Sequence, residues 1–268
     1  MALSFAENVV IITGASAGIG RSLALQLAAQ GAWLSLAARD ETRLKALVQA
    51  CQSRGGRALF VRMDVSHEQE CKNLIDKTVQ AYGRIDTLIN NAGISMFSRF
   101  DQIQNLELVR RIMEVNYMGS VNTIFYALPH LKASHGRLVG ISSLTGKNGV
   151  PTRSAYAASK HAMAGFFDSI RIELQEDGVT VTMIYPGFVA TEVRQRAIRG
   201  DGSPLQDSYL DESKLMSADE CARIIIDAVA KRKREVVMTT KAKIGQWIKL
   251  ISPSLIDKLA QKTVMSGK

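Results

Sequence analysis

No apolar run in this 268-residue chain reaches the length of about 20 that a membrane-crossing helix needs. Its start, MALSFAENVVIITGAS, enters a strand-like stretch without a basic flank or a small-residue cleavage site, so no secretory leader is expected. Cysteine is scarce. Cys51, Cys71 and Cys221 are odd in number, far apart and outside any CxxC spacing, which argues against a disulfide framework and a cysteine zinc site. His67, His130, His135 and His161 form no spaced metal-binding pair, and no metal is assigned. There is no internal repeat and no low-complexity linker. A reducing, cytoplasmic setting is expected.

Net charge is also missing from most of the chain. Lys231 to Lys268 holds ten Lys or Arg against Glu235 and Asp257, which is +8 of the total +9. The body is therefore close to neutral, and a nucleic-acid protein, which spreads basic residues over a binding face, is not expected. With 46% hydrophobic residues the chain can bury a large core, and one α/β domain is the default.

What is present alternates. NVVIIT, WLSLAA, ALFVRMDV and TLINNAG are separated by helical periods, as in IGRSLALQLAAQG and EQECKNLIDKTVQAYG. The pattern continues through a long helix near Leu106 to Leu131, the strand GRLVGIS, a helix holding YAASK, the strand VTVTMIYPG, a helix near Ala218 to Val229 and the strand EVVMT. Continuous apolar strands of this kind belong in a parallel sheet covered on both faces. Residues 1–240 are read as the domain and 241–268 as a basic tail; Phe188 to Leu215 is read as a long loop.

The first strand runs into TGASAGIG, Thr13 to Gly20, and then a helix. Gly14, Gly18 and Gly20 allow a tight turn and close approach to a pyrophosphate, and the helix start, with Ser16 and Ile19, offers unpaired N–H groups. A dinucleotide site follows, although the G-x-x-x-G-x-G spacing meets the commoner fingerprint only in part. Farther on, Tyr156 and Lys160 stand four apart on one helix, which puts a phenol and an ammonium on the same face. A cation there would favour the phenolate.

TGASAGIG, NNAG at Asn90 to Gly93, Asn116 in EVNYMGS, Ser143 thirteen residues before Tyr156 in YAASK, and Pro186-Gly187 together resemble the classical short-chain dehydrogenase/reductase family. YAASKHAMAGFFDSIRIEL is similar to its hydroxysteroid-dehydrogenase-like branch. The resemblance spans Asn8 to about Thr239. It implies a single Rossmann-type, doubly wound parallel sheet of about seven strands, and hydride transfer between a nicotinamide and a carbonyl or secondary alcohol. Tyr156 would be the proton donor, Lys160 would also bind the nicotinamide ribose, Ser143 would hydrogen-bond the substrate oxygen, and Asn116 would hold a water-linked relay to Lys160.

Cofactor choice turns on AARD. Ala38 holds the position where NAD enzymes offer an acid, Arg39 follows, and Asp40 reads as a helix N-cap, so NADP(H) is expected although Ala17 is not basic. Asp64 and Val65 should flank the adenine, Asn91, Ala92 and Gly93 should line the cofactor, and Pro186, Gly187, Val189 and Thr191 should approach the nicotinamide. Met96, Phe97, Leu144, Tyr185 and Phe188 either form an apolar pocket for a lipophilic ketone or aldehyde or are core. In the tail, Ile244, Trp247, Ile248 and Ile251 follow helical spacing among lysines, which suits a membrane surface, a helix over the substrate mouth or a partner subunit. A homodimer or homotetramer is expected from the apolar residues Ala162, Met163, Phe166, Phe167 and Ile170, and from family-like pairing of this helix with the long one before it. The alternatives are a non-catalytic NADP-sensing protein and a membrane-surface lipid-carbonyl reductase.

Overall fold

Seven apolar runs become the strands of one parallel sheet: β1 (Val9–Thr13), β2 (Trp33–Ala38), β3 (Arg57–Arg62), β4 (Thr87–Asn90), β5 (Arg137–Ile141), β6 (Thr180–Tyr185) and β7 (Glu235–Val237). The computed structural model describes residues 5–206 and 215–265. Strand order is β3-β2-β1-β4-β5-β6-β7, with Val10 paired to Thr87 and Asn90 to Gly140. The expected doubly wound fold is what the chain adopts.

Successive strand residues point to opposite faces, so each strand feeds two cores. Val10, Ile12, Ile89 and Ile184 meet α1 (Gly18–Ala28), α2 (Glu41–Gln52) and α7 (Ala218–Ala230) on one face. Ile11, Leu88, Met183 and Tyr185 meet α3 (Glu68–Tyr82), α5 (Gly119–Ala133) and α6 (Ser154–Glu173) on the other. Capping places helix starts: Asp40 accepts from the Arg43 N–H at 2.9 Å, as its N-cap reading requires, and Ser217 accepts from the Glu220 N–H at 3.0 Å.

The expected long helix is a composite. α4 (Glu107–Met113) passes into a π-turn, Glu114–Met118, and then into α5. Such a widened turn is common at functional sites, and it carries Asn116. A third, small core of Met96, Leu108, Ile112, Ala155 and Ile198 fastens α4 and the start of α6 to the segment after β4 and to the loop after β6. Within Phe188 to Leu215, residues 207–214 lie outside the described residues; the rest bridges back at Val189–Met216 and Met96–Ile198.

The tail forms two helices, α8 (Thr240–Ile251) and α9 (Pro253–Met265). Ala242 reaches the second core, while Trp247 is 71% and Ile251 86% exposed. Among the described residues no helix is long and apolar enough to cross a membrane. The apolar run on α6 is mostly spent inside the monomer: Met163, Phe167 and Ile170 are buried against the sheet, and Phe125 and Ile172 are the large apolar groups that α5 and α6 leave exposed.

Candidate active site

Strand order reverses between β1 and β4, and the cleft opens at their carboxyl ends, where a doubly wound sheet binds ligands. Gly14 takes φ +66°, and a β-carbon there would stand 2.8 Å from the Ala92 Cα. A β-carbon on Gly20 would stand 2.4 Å from the Gly14 carbonyl oxygen, so these positions admit only glycine. The two loops are tied together. Asn91 donates through Nδ2 to the Thr13 carbonyl at 2.9 Å, and Thr13 Oγ1 accepts from the Asn91 and Ala92 N–H groups at 3.0 and 3.1 Å.

A cavity of about 1000 Å³ runs along these loops. Ser16, Gly18 and Ile19 line its middle, Arg39, Asp64 and Val65 one end, and Gly93, Ser143, Tyr156 and Lys160 the other. Asn91, Ala92, Pro186, Gly187, Val189 and Thr191 also face it, whereas Gly20 and Asn116 lie behind the wall. The narrow glycine cradle, the open start of α1 and the long cleft fit a dinucleotide. Arg39 pairs with Asp64 at 3.6 Å. Burial pushes the Asp64 carboxyl up, but hydrogen bonds from Ser66 and the charges of Arg39 and His67 prevail and hold it below its ordinary value.

At the other end the Tyr156 and Ser143 side chains face the cavity together. Ser143 also accepts from the Thr145 N–H at 3.2 Å. Asn116 works as a brace: its Oδ1 accepts from the Ile94 N–H at 2.8 Å, and its Nδ2 donates to the Ile94 carbonyl and Ser159 Oγ, each at 2.9 Å. Lys160 is buried, donates to the Ile141 carbonyl at 2.9 Å and stands 5.9 Å from the Tyr156 ring centre. The spacing therefore brings phenol and ammonium together, but the expected electrostatics need correction. Burial lowers Lys160 to about 8 and raises Tyr156 above its ordinary value; the Ser143 hydrogen bond and the Arg153 charge oppose that rise. Desolvation outweighs the neighbouring positive charge at the phenol, and Arg153 is a second cation opposing the rise.

The apolar set divides. Leu144 and Phe188 line the cavity, while Met96 and Tyr185 are core residues and Phe97 lies under the Arg153 guanidinium. Among the described residues no cluster of His, Cys, Asp and Glu could hold a metal ion. Burial raises Cys51 to about 11 and Cys71 and Cys221 to about 12, so none is a reactive thiolate.

A family model described as short chain dehydrogenase matches residues 8–201. The chain belongs to the short-chain dehydrogenase/reductase family. A relative from Arabidopsis thaliana, 11-beta-hydroxysteroid dehydrogenase 1A, is 35% identical and aligns over 98% of this chain and 78% of its own length. A Dictyostelium discoideum protein, dehydrogenase/reductase SDR family protein 7-like, is 34% identical over 98% of this chain and 84% of its own. Such relatives place the chain in the hydroxysteroid-dehydrogenase-like branch. A Burkholderia phymatum short-chain dehydrogenase/reductase solved with NAD shares the fold at TM-score 0.83 and 23% identity, covering 94% of this chain and 96% of that one. An alcohol dehydrogenase from Thermococcus sibiricus, complexed with 5-hydroxy-NADP, is 26% identical at TM-score 0.73, covering 85% and 94%. This short-chain dehydrogenase/reductase is thus an oxidoreductase that uses a nicotinamide cofactor.

Several site residues of this dehydrogenase escape a motif reading. Arg153 and Arg111 put two cations on the cavity wall, and Ile256 and Leu259 of α9 close its far side. Arg43 of α2 holds Glu192 of the loop after β6 with two hydrogen bonds of 2.9 Å, which straps that loop across the cleft. Arg153 directly precedes SAYAASK, a position that could have drawn attention; α9 offers no such signal.

Proposed function

We propose that the protein is an NADP(H)-dependent reductase of a lipophilic ketone or aldehyde, with alcohol oxidation as the reverse. The observation that carries it is the Tyr156–Ser143 hydroxyl pair, which faces a long cleft beside the buried Lys160. When bound, the nicotinamide would supply or accept the hydride. Ser143 would hold the substrate oxygen and Tyr156 would keep a proton at its hydroxyl, ready for the oxygen as negative charge develops there. Lys160, low in the cleft, would hydrogen-bond the ribose, and Asn116 would keep the 93–94 backbone beside it. Gly93 leaves the necessary room: a β-carbon there would stand 3.1 Å from Asn116 Oδ1 and 3.6 Å from Lys160 Nζ.

Arg39 at the end of β2 supports NADP(H), because a guanidinium grips a ribose phosphate and the preceding Ala38 offers no acid to a ribose hydroxyl. Leu144, Phe188, Ile256 and Leu259 give the substrate end apolar walls, which suits a lipophilic carbonyl. The sheet domain would end near residue 240, with the tail as a wall of the substrate mouth. Exposed Ile244, Trp247, Leu250 and Ile251 among lysines favour a second reading, a reductase working at a lipid surface.

Tyr156→Phe should abolish NADPH consumption with ketones, aldehydes and quinones yet leave NADPH binding nearly intact, since only the proton donor is lost. Near-normal turnover would reject the assignment, and a wild type that turns over none of these carbonyls would favour a nucleotide sensor. A cytoplasmic homo-oligomer, with Phe125 and Ile172 covered by a second copy, completes the proposal; fractionation would test the location, and light scattering at 29.3 kDa would count against the assembly.

A further inference from the structure

Arg153 directly precedes α6 and is 9% exposed although it carries a full charge. A guanidinium is taken out of water at a cost of several kcal/mol and persists where the fold supplies partners. Its Nη1 donates to Ser95 Oγ and to the Met96 carbonyl, each at 2.6 Å, and its carbon centre stands 5.1 Å from the middle of the Phe97 ring. Three consecutive residues after β4 are thus held to the start of the helix that carries Tyr156. The same three hold the loop after β6. The Phe97 N–H donates to the Ile198 carbonyl and the Ile198 N–H to the Ser95 carbonyl, both at 2.9 Å.

Arg153 and Tyr156 are three residues apart, one helical turn, and both line the cleft. The other charged groups on that part of its wall are Arg111 from α4, Lys160 from α6, Glu192, Arg194 and Arg196 from the loop, and Lys241 from α8. Burial pushes the phenol up and the Arg153 charge opposes that push, with Lys160, 5.9 Å from the ring centre, as the other cation beside it.

We propose that Arg153 is a positioning residue of the reaction, fixing the segment after β4, and through it the loop after β6, to the start of α6, with its permanent positive charge on the stretch of cleft wall that Tyr156 also lines. Its role rests on that of Tyr156 as proton donor. In reduction the cation stabilises the phenolate left when the proton goes to the substrate oxygen; in oxidation it eases removal of that proton from the phenol beforehand.

The test separates charge from scaffolding. The ultraviolet tyrosinate difference between protein with Tyr156 and the same protein carrying Tyr156→Phe titrates this phenol alone and needs no substrate. Arg153→Gln should raise the midpoint by about one pH unit or more, a tenfold change in proton affinity, and Arg153→Lys should restore it. The basic limb of the carbonyl-reduction rate should move upward in the same sense. An unmoved midpoint in folded Arg153→Gln overturns the proposal, even where thermal stability falls. If that variant does not fold, Arg153→Met combined with Ser95→Ala removes both partners together and carries the same readout. Turnover retained by Tyr156→Phe would instead reject the role of Tyr156 and leave the Arg153 titration standing, so the two failures are distinguishable.

Discussion

Replacing Arg39 with alanine removes a guanidinium that is 59% exposed and lies 3.6 Å from Asp64 Oδ2. A charge-assisted hydrogen bond to a ribose phosphate is worth about 1.5–3 kcal/mol. Two features reduce that figure here. The group is half in water, and drawing it to a phosphate loosens an exposed ion pair worth about 0–1 kcal/mol. A net loss of about 1–2 kcal/mol remains, which is a factor of roughly 5 to 30 in the Kd for NADPH. NADH has no such phosphate, so its affinity should change by less than about twofold on the same arithmetic. Fluorescence titration of both nucleotides against both proteins reads this directly, and the NADPH difference should shrink at high salt, because exposed charges are screened. Asp64→Asn frees Arg39 from its partner and should tighten NADPH in the parent but not in the Arg39→Ala background. Equal losses for the two nucleotides, or no loss for either, would refute the role given to Arg39.

The buried Lys160 makes stability depend on pH. An unfolded chain holds that proton up to its ordinary 10.5, the fold only to about 8 because burial disfavours the ammonium, so stability should rise between those values. The gain is at most about 3 kcal/mol, and Lys160→Met should lack it; parallel unfolding free energies for the two proteins across that window would reject the assignment. Truncation after Thr240 should leave the sheet domain folded but remove Ile256 and Leu259 from the cavity wall, raising KM for a bulky carbonyl more than for a small one. An unchanged KM for both carbonyls would remove the tail from the substrate mouth, and a loss of vesicle binding at low salt would instead support a lipid-surface role.

The sheet was legible because its strands are short apolar runs separated by helical periods, and periodicity is a local property of the chain. The cofactor loop was legible for a related reason: close approach and a left-handed φ leave glycine as the only candidate at Gly14. What failed to show needed knowledge of direction. Tyr185 and Met96 adjoin the motifs in sequence, yet alternation turns Tyr185 into the core under α6, and Met96 turns toward Ile112 and Ala155. The π-turn at Glu114–Met118 leaves no mark in a helical pattern, because one widened turn shifts the phase by a single residue. Spacing placed Lys160 near Tyr156 but could not reveal that the ammonium points to the Ile141 carbonyl, since depth of burial is a property of the assembled fold.

Val10 and Thr87 are partners at the centre of the sheet, although β2, β3 and their helices lie between them in the chain. The half-sheet β3-β2-β1 can therefore assemble while β1 still presents a bare edge, and β4 must close a long loop to cover it. Contacts between residues so distant in sequence slow folding and prolong the exposure of that edge to association with other chains. The half of the cleft that holds Ser143, Tyr156 and Lys160 lies beyond β4, so the site is not complete until the closure is made. A nucleotide thus finds only part of its site on the half-formed sheet, the glycine loop and the Arg39 end, and by mass action it stabilises most the molecules that have completed the central pairing.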